Sequence, residues 1–163
     1  MNGAMLLPEF DQEMTNTRRM LESVPDAKLA YRPHKKSYSL RDLAAHIANL
    51  PTWTSVTLTT TELDVSQPFD RVIPESRNEI LAQFDENVAG ARAVLGKTSA
   101  DDMKVDWTLR SGDRVVFTMP RAATFRAFVM SHLIHHRAQL GVYLRLLDVP
   151  VPGMYGPSAD EPM

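Results

Sequence analysis

Four stretches of this chain repeat their apolar residues at helical spacing, and the last, from Pro120 to about Leu147, constrains the fold most. On a wheel of about 100° per residue with His132 at zero, His136 falls at about +40° and Gln139 at about −20°. Tyr143 and Phe125 fall near +20°, on a face shared with Leu146 and Phe128, roughly as the same wheel requires. The spacing therefore predicts His132 and His136 in the middle of the core-facing stripe. Burying two imidazoles together is costly unless each finds a partner. Hydrogen bonds to backbone or to Tyr143 are the plain solution. A metal ion is the chemical one, because i, i+4 histidines on a helix converge on a single ion. His135, at about −60°, lies near the margin and reads as a packing or supporting residue, although an i, i+3 pairing with His132 is also feasible.

Three further helices precede this one. From Pro8 to about Val24, Phe10, Met14, Leu21 and Val24 form one face of an amphipathic helix, ended by Pro25-Asp26. Ser39-Leu-Arg-Asp42 resembles a capping box and opens the second helix, with Leu43, Ile47 and Leu50 inside. Pro51 should bend or end that helix, and the Thr-rich stretch 54–61 could continue it. Gln67 to Pro74 reads as a loop. Ser76-Arg-Asn-Glu79 is a capping box ahead of Ile80, Phe84, Val88, Ala91 and Leu95, with Gly96 as the expected stop.

Between the third and fourth helices Val105, Trp107 and Leu109 alternate with polar residues, then Ser111-Gly-Asp113, then Val115, Phe117 and Met119. That pattern predicts a short hairpin near 105–119 with its turn at Gly112. The prolines after Leu147 make the tail extended. The expected architecture is all-α: one four-helix-bundle domain over residues 1–163, with long crossover connections and a small extended insert.

Composition excludes several function classes. A formal net charge of −2, from 18 basic and 20 acidic residues, offers no field for a polyanion, so nucleic-acid binding is not expected. No apolar run is long enough to span a bilayer, and the start lacks a secretory pattern, which makes a cytoplasmic protein the default expectation. With no cysteine, the chain can supply neither disulfide nor thiolate, and any thiol must arrive with a substrate.

Two protein ligands seldom hold a metal, so a third must come from elsewhere. His46 lies in the second helix on the flank of its apolar stripe and can reach a bundle interior. His34 sits in a basic loop with Arg32, Lys35 and Lys36 and reads as solvent-facing. That loop could greet an acidic cosubstrate, although solvation is the simpler reading. The sequence His132-Leu-Ile-His-His136 is not the metalloprotease H-E-x-x-H, since Leu133 stands where the general base would be. Trp53 and Trp107 could line a pocket, but aromatics at such positions usually belong to the core.

The segment His132-Leu-Ile-His-His-Arg-Ala-Gln-Leu140 resembles the signature of the DinB/YfiT-like superfamily. Tyr31-Arg-Pro33, Ser39 to His46, Met119-Pro-Arg121, Val149 to Pro152 and Tyr155 to Glu161 look like other stretches of that family. The resemblance implies a DinB-type bundle, commonly a homodimer, with His46, His132 and His136 as ligands of nickel, zinc or a similar divalent transition metal. It also brings Arg137 and Gln139 into the motif. On the wheel Gln139 can face the site, while Arg137, at about 140°, points away as a structural or dimer-contact residue. Family precedent suggests a metal-dependent enzyme acting on a small molecule, as a transferase using a low-molecular-weight thiol or as a hydrolase. The alternative is a non-catalytic stress-related protein whose metal ties helix to helix.

Overall fold

The computed structural model describes residues 1–67 and 73–162, so most of the expected loop from Gln67 to Pro74 lies outside the described residues. Helix α1 (Leu7–Glu22) carries Pro8 in its first turn, where the missing N–H is not needed, and buries Phe10, Met14, Met20 and Leu21. Ahead of it the chain lies flush on the bundle. A Cβ on Gly3 would meet the Leu95 carbonyl oxygen at 1.9 Å, so only glycine fits that approach.

Ser39 caps α2 (Leu40–Asn49) by accepting from the Asp42 N–H at 3.0 Å. Pro51 breaks the helix, which resumes as α3 (Thr52–Thr59). Ser76 caps α4 (Arg77–Lys97), although the Glu79 carboxylate reaches the Glu75 N–H rather than that of the cap residue. The expected stop at Gly96 is overrun: the helix continues to Lys97, and Thr98 ends it while donating its hydroxyl to the Val94 carbonyl at 2.9 Å.

The expected hairpin is present as β2 (Asp106–Ser111) and β3 (Arg114–Pro120), paired antiparallel around Gly112, whose φ of 59° suits glycine. A third strand, β1 (Glu62–Asp64), pairs parallel to β2 and was not foreseen. Arg110 holds it through Glu62 and Asp64.

The last helical rod has three parts. A short α5 (Arg121–Thr124) leads into a π-helical segment, Phe125–Ser131, and then into α6 (His132–Leu146). In the bundle α1 packs on α4 and α6, and α2 packs on the same two helices. Consecutive α1 and α2 therefore occupy opposite corners, as do α4 and α6. That placement is what requires the long connections, 23–39 and 98–120.

One prediction about α6 is corrected. Its buried residues are Leu133, Arg137, Leu140, Tyr143 and Leu144, whereas His132 and His136 are half-buried and Leu146 is exposed. The histidines lie on the flank of the inner stripe and not at its centre. The physical reason is the π-helical segment, whose wider turns put Phe125 and Phe128 out of phase with a wheel of about 100° per residue. Arg137 does point away from the histidines, but into the protein.

Arg137 is 2% exposed, and its guanidinium pairs with Glu13 of α1 at 2.7 Å. It also donates to the Glu13 carbonyl at 3.0 Å and the Thr17 hydroxyl at 3.1 Å. Tyr155 of the tail completes the cluster, donating to the Glu13 carboxylate at 2.7 Å and accepting from Arg137. Removing one member of such a pair strands a charge in the core, so Glu13→Ala should cost about 3–5 kcal/mol. Urea unfolding of Glu13→Ala beside Glu13→Leu/Arg137→Met checks this: the double variant should recover much of the loss.

Candidate metal centre

His46 comes from the last turn of α2, and His132 and His136 from the first turns of α6, which packs against it. All three are half-buried, with one ring nitrogen from each inside a common 4.8 Å group. The Nε2 atoms of His132 and His136 are 2.9 Å apart, and those of His46 and His132 are 3.4 Å apart. Three nitrogens bound at about 2.0–2.1 Å to one ion would lie about 3.3 Å apart at tetrahedral angles, or about 2.9 Å apart at right angles. These two spacings suit a shared ion of that size.

The outward nitrogens strengthen this fit. The ring of His132 is hydrogen-bonded to the backbone of Phe128, in the π-helical segment. The Nδ1 of His136 meets Gln139 Oε1 at 2.8 Å, which requires Nδ1 to carry the proton. Both rings spend their N–H outward, and their Nε2 lone pairs are left facing one another. Two lone pairs at that distance repel unless a cation lies between them. Outward N–H bonds of this kind are also what orients metal-bound imidazoles.

Burial holds the His132 and His136 imidazoles below their ordinary pKa, the hydrogen bonds to Phe128 and Gln139 acting the other way. Both rings are therefore neutral at pH 7, the state in which imidazole binds a metal.

The other expected residues sort clearly. His135 is exposed, its ring edge-on to His136 at 4.9 Å, outside the three-nitrogen group. His34 is exposed in its loop and accepts from the Lys36 N–H. Gln139 faces the site as expected. Tyr143 packs, donating its hydroxyl to the Tyr38 carbonyl and standing edge-on to Tyr31. Trp107 is buried and bonded to the Thr60 hydroxyl; Trp53 stacks on Phe128. Tyr38 is a residue that periodicity could not find, because it lies in the irregular segment before α2. Its ring stands 5.9 Å from His46 and 6.5 Å from His136.

Comparison with known proteins follows the same lines. Among curated proteins, an uncharacterised Bacillus subtilis protein, YrdA, is 28% identical over 161 residues, covering 95% of this chain and 89% of its own. A DinB-like protein from Bacillus cereus shares the fold with a TM-score of 0.72 at 22% identity, over 92% of this chain and 95% of that one. YfiT from B. subtilis, described as a probable metal-dependent hydrolase with an unusual four-helix bundle topology, aligns with a TM-score of 0.65 at 15% identity, covering 90% and 87%. A mycothiol-dependent maleylpyruvate isomerase aligns with a TM-score of 0.53 at 16% identity, over 93% of this chain but 62% of its own. The DinB family model matches residues 1–163. Together with the bundle and its three converging histidines, this match decides the classification: the chain belongs to the DinB family.

Proposed function

We propose that this protein is a metal-dependent enzyme in which His46, His132 and His136 hold one divalent transition ion, nickel or zinc, and present it to a small-molecule substrate. The observation that carries the reading is the pair of bare Nε2 lone pairs, 2.9 Å apart, on rings whose other nitrogens are engaged outward. Three neutral imidazoles would leave the ion its full positive charge and room for a non-protein ligand, and the chemistry such an ion supplies is Lewis-acid activation of water or of a substrate oxygen or sulfur. Burial keeps the His132 and His136 imidazoles neutral, and Phe128 and Gln139 respectively aim them. Hydrolysis is the favoured reaction class, supported by the likeness to YfiT. A thiol cosubstrate is the second reading, supported by the fold shared with the mycothiol-dependent isomerase; with no cysteine in the chain, that thiol would arrive as a small molecule.

Elemental analysis of tagless protein should find about one transition ion per chain, lost in His46→Ala and in His136→Ala. Stoichiometric metal in both variants would overturn the ligand set. On the cobalt-substituted protein, azide or a small thiol should change the visible spectrum. An unchanged spectrum with every small anion and thiol would mean a closed, structural centre.

The pH dependence has a definite sign. Folded-state values below the ordinary imidazole pKa of about 6.5 mean that the unfolded chain binds protons more readily. This contribution to stability is present above about pH 6.5 and is lost as the pH falls through the depressed folded-state values. Metal retention should fall in the same direction, since protons compete for the same nitrogens. Thermal melts of the metal-free protein between pH 8 and 5, with metal release followed in parallel, check both; a metal-free melting temperature that rises on acidification would refute the assignment.

A further inference from the structure

A cavity of about 400 Å³ opens directly beside His136, at the end of the helix pair where the loop before α2 meets α6. Its walls include Lys36, Tyr38, Gln139, Val142 and Tyr143. The polar chemistry of this lining is one-sided. No carboxylate lines the cavity, and Lys36 makes no ion pair among the described residues.

Gln139 adds to this. Its Oε1 is occupied by the Nδ1–H of His136, so its amide nitrogen must turn the other way, with both of its N–H groups available. The Tyr143 hydroxyl has already spent its proton on the Tyr38 carbonyl. The donors left for an occupant are therefore the Lys36 ammonium, the Gln139 amide N–H pair and the Ser37 and Tyr38 hydroxyls, and all of them can serve an anion. The apolar part of the wall is Val142, 59% exposed, and the ring of Tyr38, 46% exposed, large fractions for such side chains.

We propose that this cavity is the substrate pocket, and that it takes a small organic carboxylate whose apolar body lies against Tyr38 and Val142 while its carboxylate meets Lys36 and the Gln139 amide. This deepens the metal-enzyme reading and rests on it for the word substrate; the binding itself does not depend on the metal. The basic loop thus has a role beyond solvation. The tilt of the Tyr38 ring toward both His46 and His136 places the occupant alongside the histidine group.

The test uses benzoate, with benzamide as its uncharged match, titrated into the purified protein while backbone amide resonances are followed. Benzoate should move the amides of Ser37, Gln139 and Val142 saturably, with benzamide at least about tenfold weaker. Lys36→Met should weaken benzoate by about tenfold and leave benzamide unchanged; Gln139→Glu, which replaces donors by acceptors, should weaken benzoate at least as much. Equal affinity for both probes, an unaffected Lys36→Met variant, or shifts confined to another face would each overturn the pocket assignment. Metal content measured on the same samples separates the two readings. Protein without metal that still binds benzoate through Lys36 would refute the metal centre and keep the pocket, while metal-replete protein without these shifts would do the reverse.

Discussion

The buried ion pair between Arg137 and Glu13 sets the rotation of the last helix, and the site depends on that rotation. A guanidinium in the core has one place to go, because its charge must meet the carboxylate and its N–H groups must all find acceptors. Glu13, its carbonyl and Thr17 of α1 supply that place. Once Arg137 faces α1, its neighbour His136 lies about 100° round the helix, on the flank turned to α2. His132, one turn earlier, follows it. The histidines converge on His46 because a different residue, on a different face, is anchored.

Placing consecutive helices at opposite corners of the bundle serves the same end. The α2 and α6 helices lie side by side although the whole of α3, α4 and the small sheet separates them in sequence. His46 and His132 thus meet from segments that share no local signal. The segment before α2 runs beside α6 as well, which is how Tyr38 and Lys36 reach the neighbourhood of His136.

This arrangement explains what could be read in the sequence. Helices with a cap and a regular stripe, such as those after Ser39 and Ser76, were legible because local hydrogen bonds and burial act together there. The hairpin at Gly112 was legible for the same reason, since a turn residue and alternation coincide. β1 was not, because three residues held by Arg110 from a distant strand carry no period of their own. In α6 the i, i+4 histidines were visible but their depth was not: Phe125 and Phe128 appeared to mark the inner face, and Arg137, a charged residue, marks it in fact. Tyr38 and the orientation of Gln139 depend on tertiary contacts alone.

The wide turn at residues 125–131 gives the chain two independent faces on one rod. At its start, Phe125 is set against Phe10 of α1; just past its end, His132 is set toward α2. An ordinary α-helix joining those same two faces would need about one residue fewer across this stretch, since a π-type turn is an α-turn with one residue added. In the language of sequence alignment, this is a place for a single-residue gap inside a helix, where gaps are normally forbidden. Relatives that differ by one residue between the hairpin and the histidines can then keep both the core and the histidine-bearing side, with the length difference absorbed in the turn.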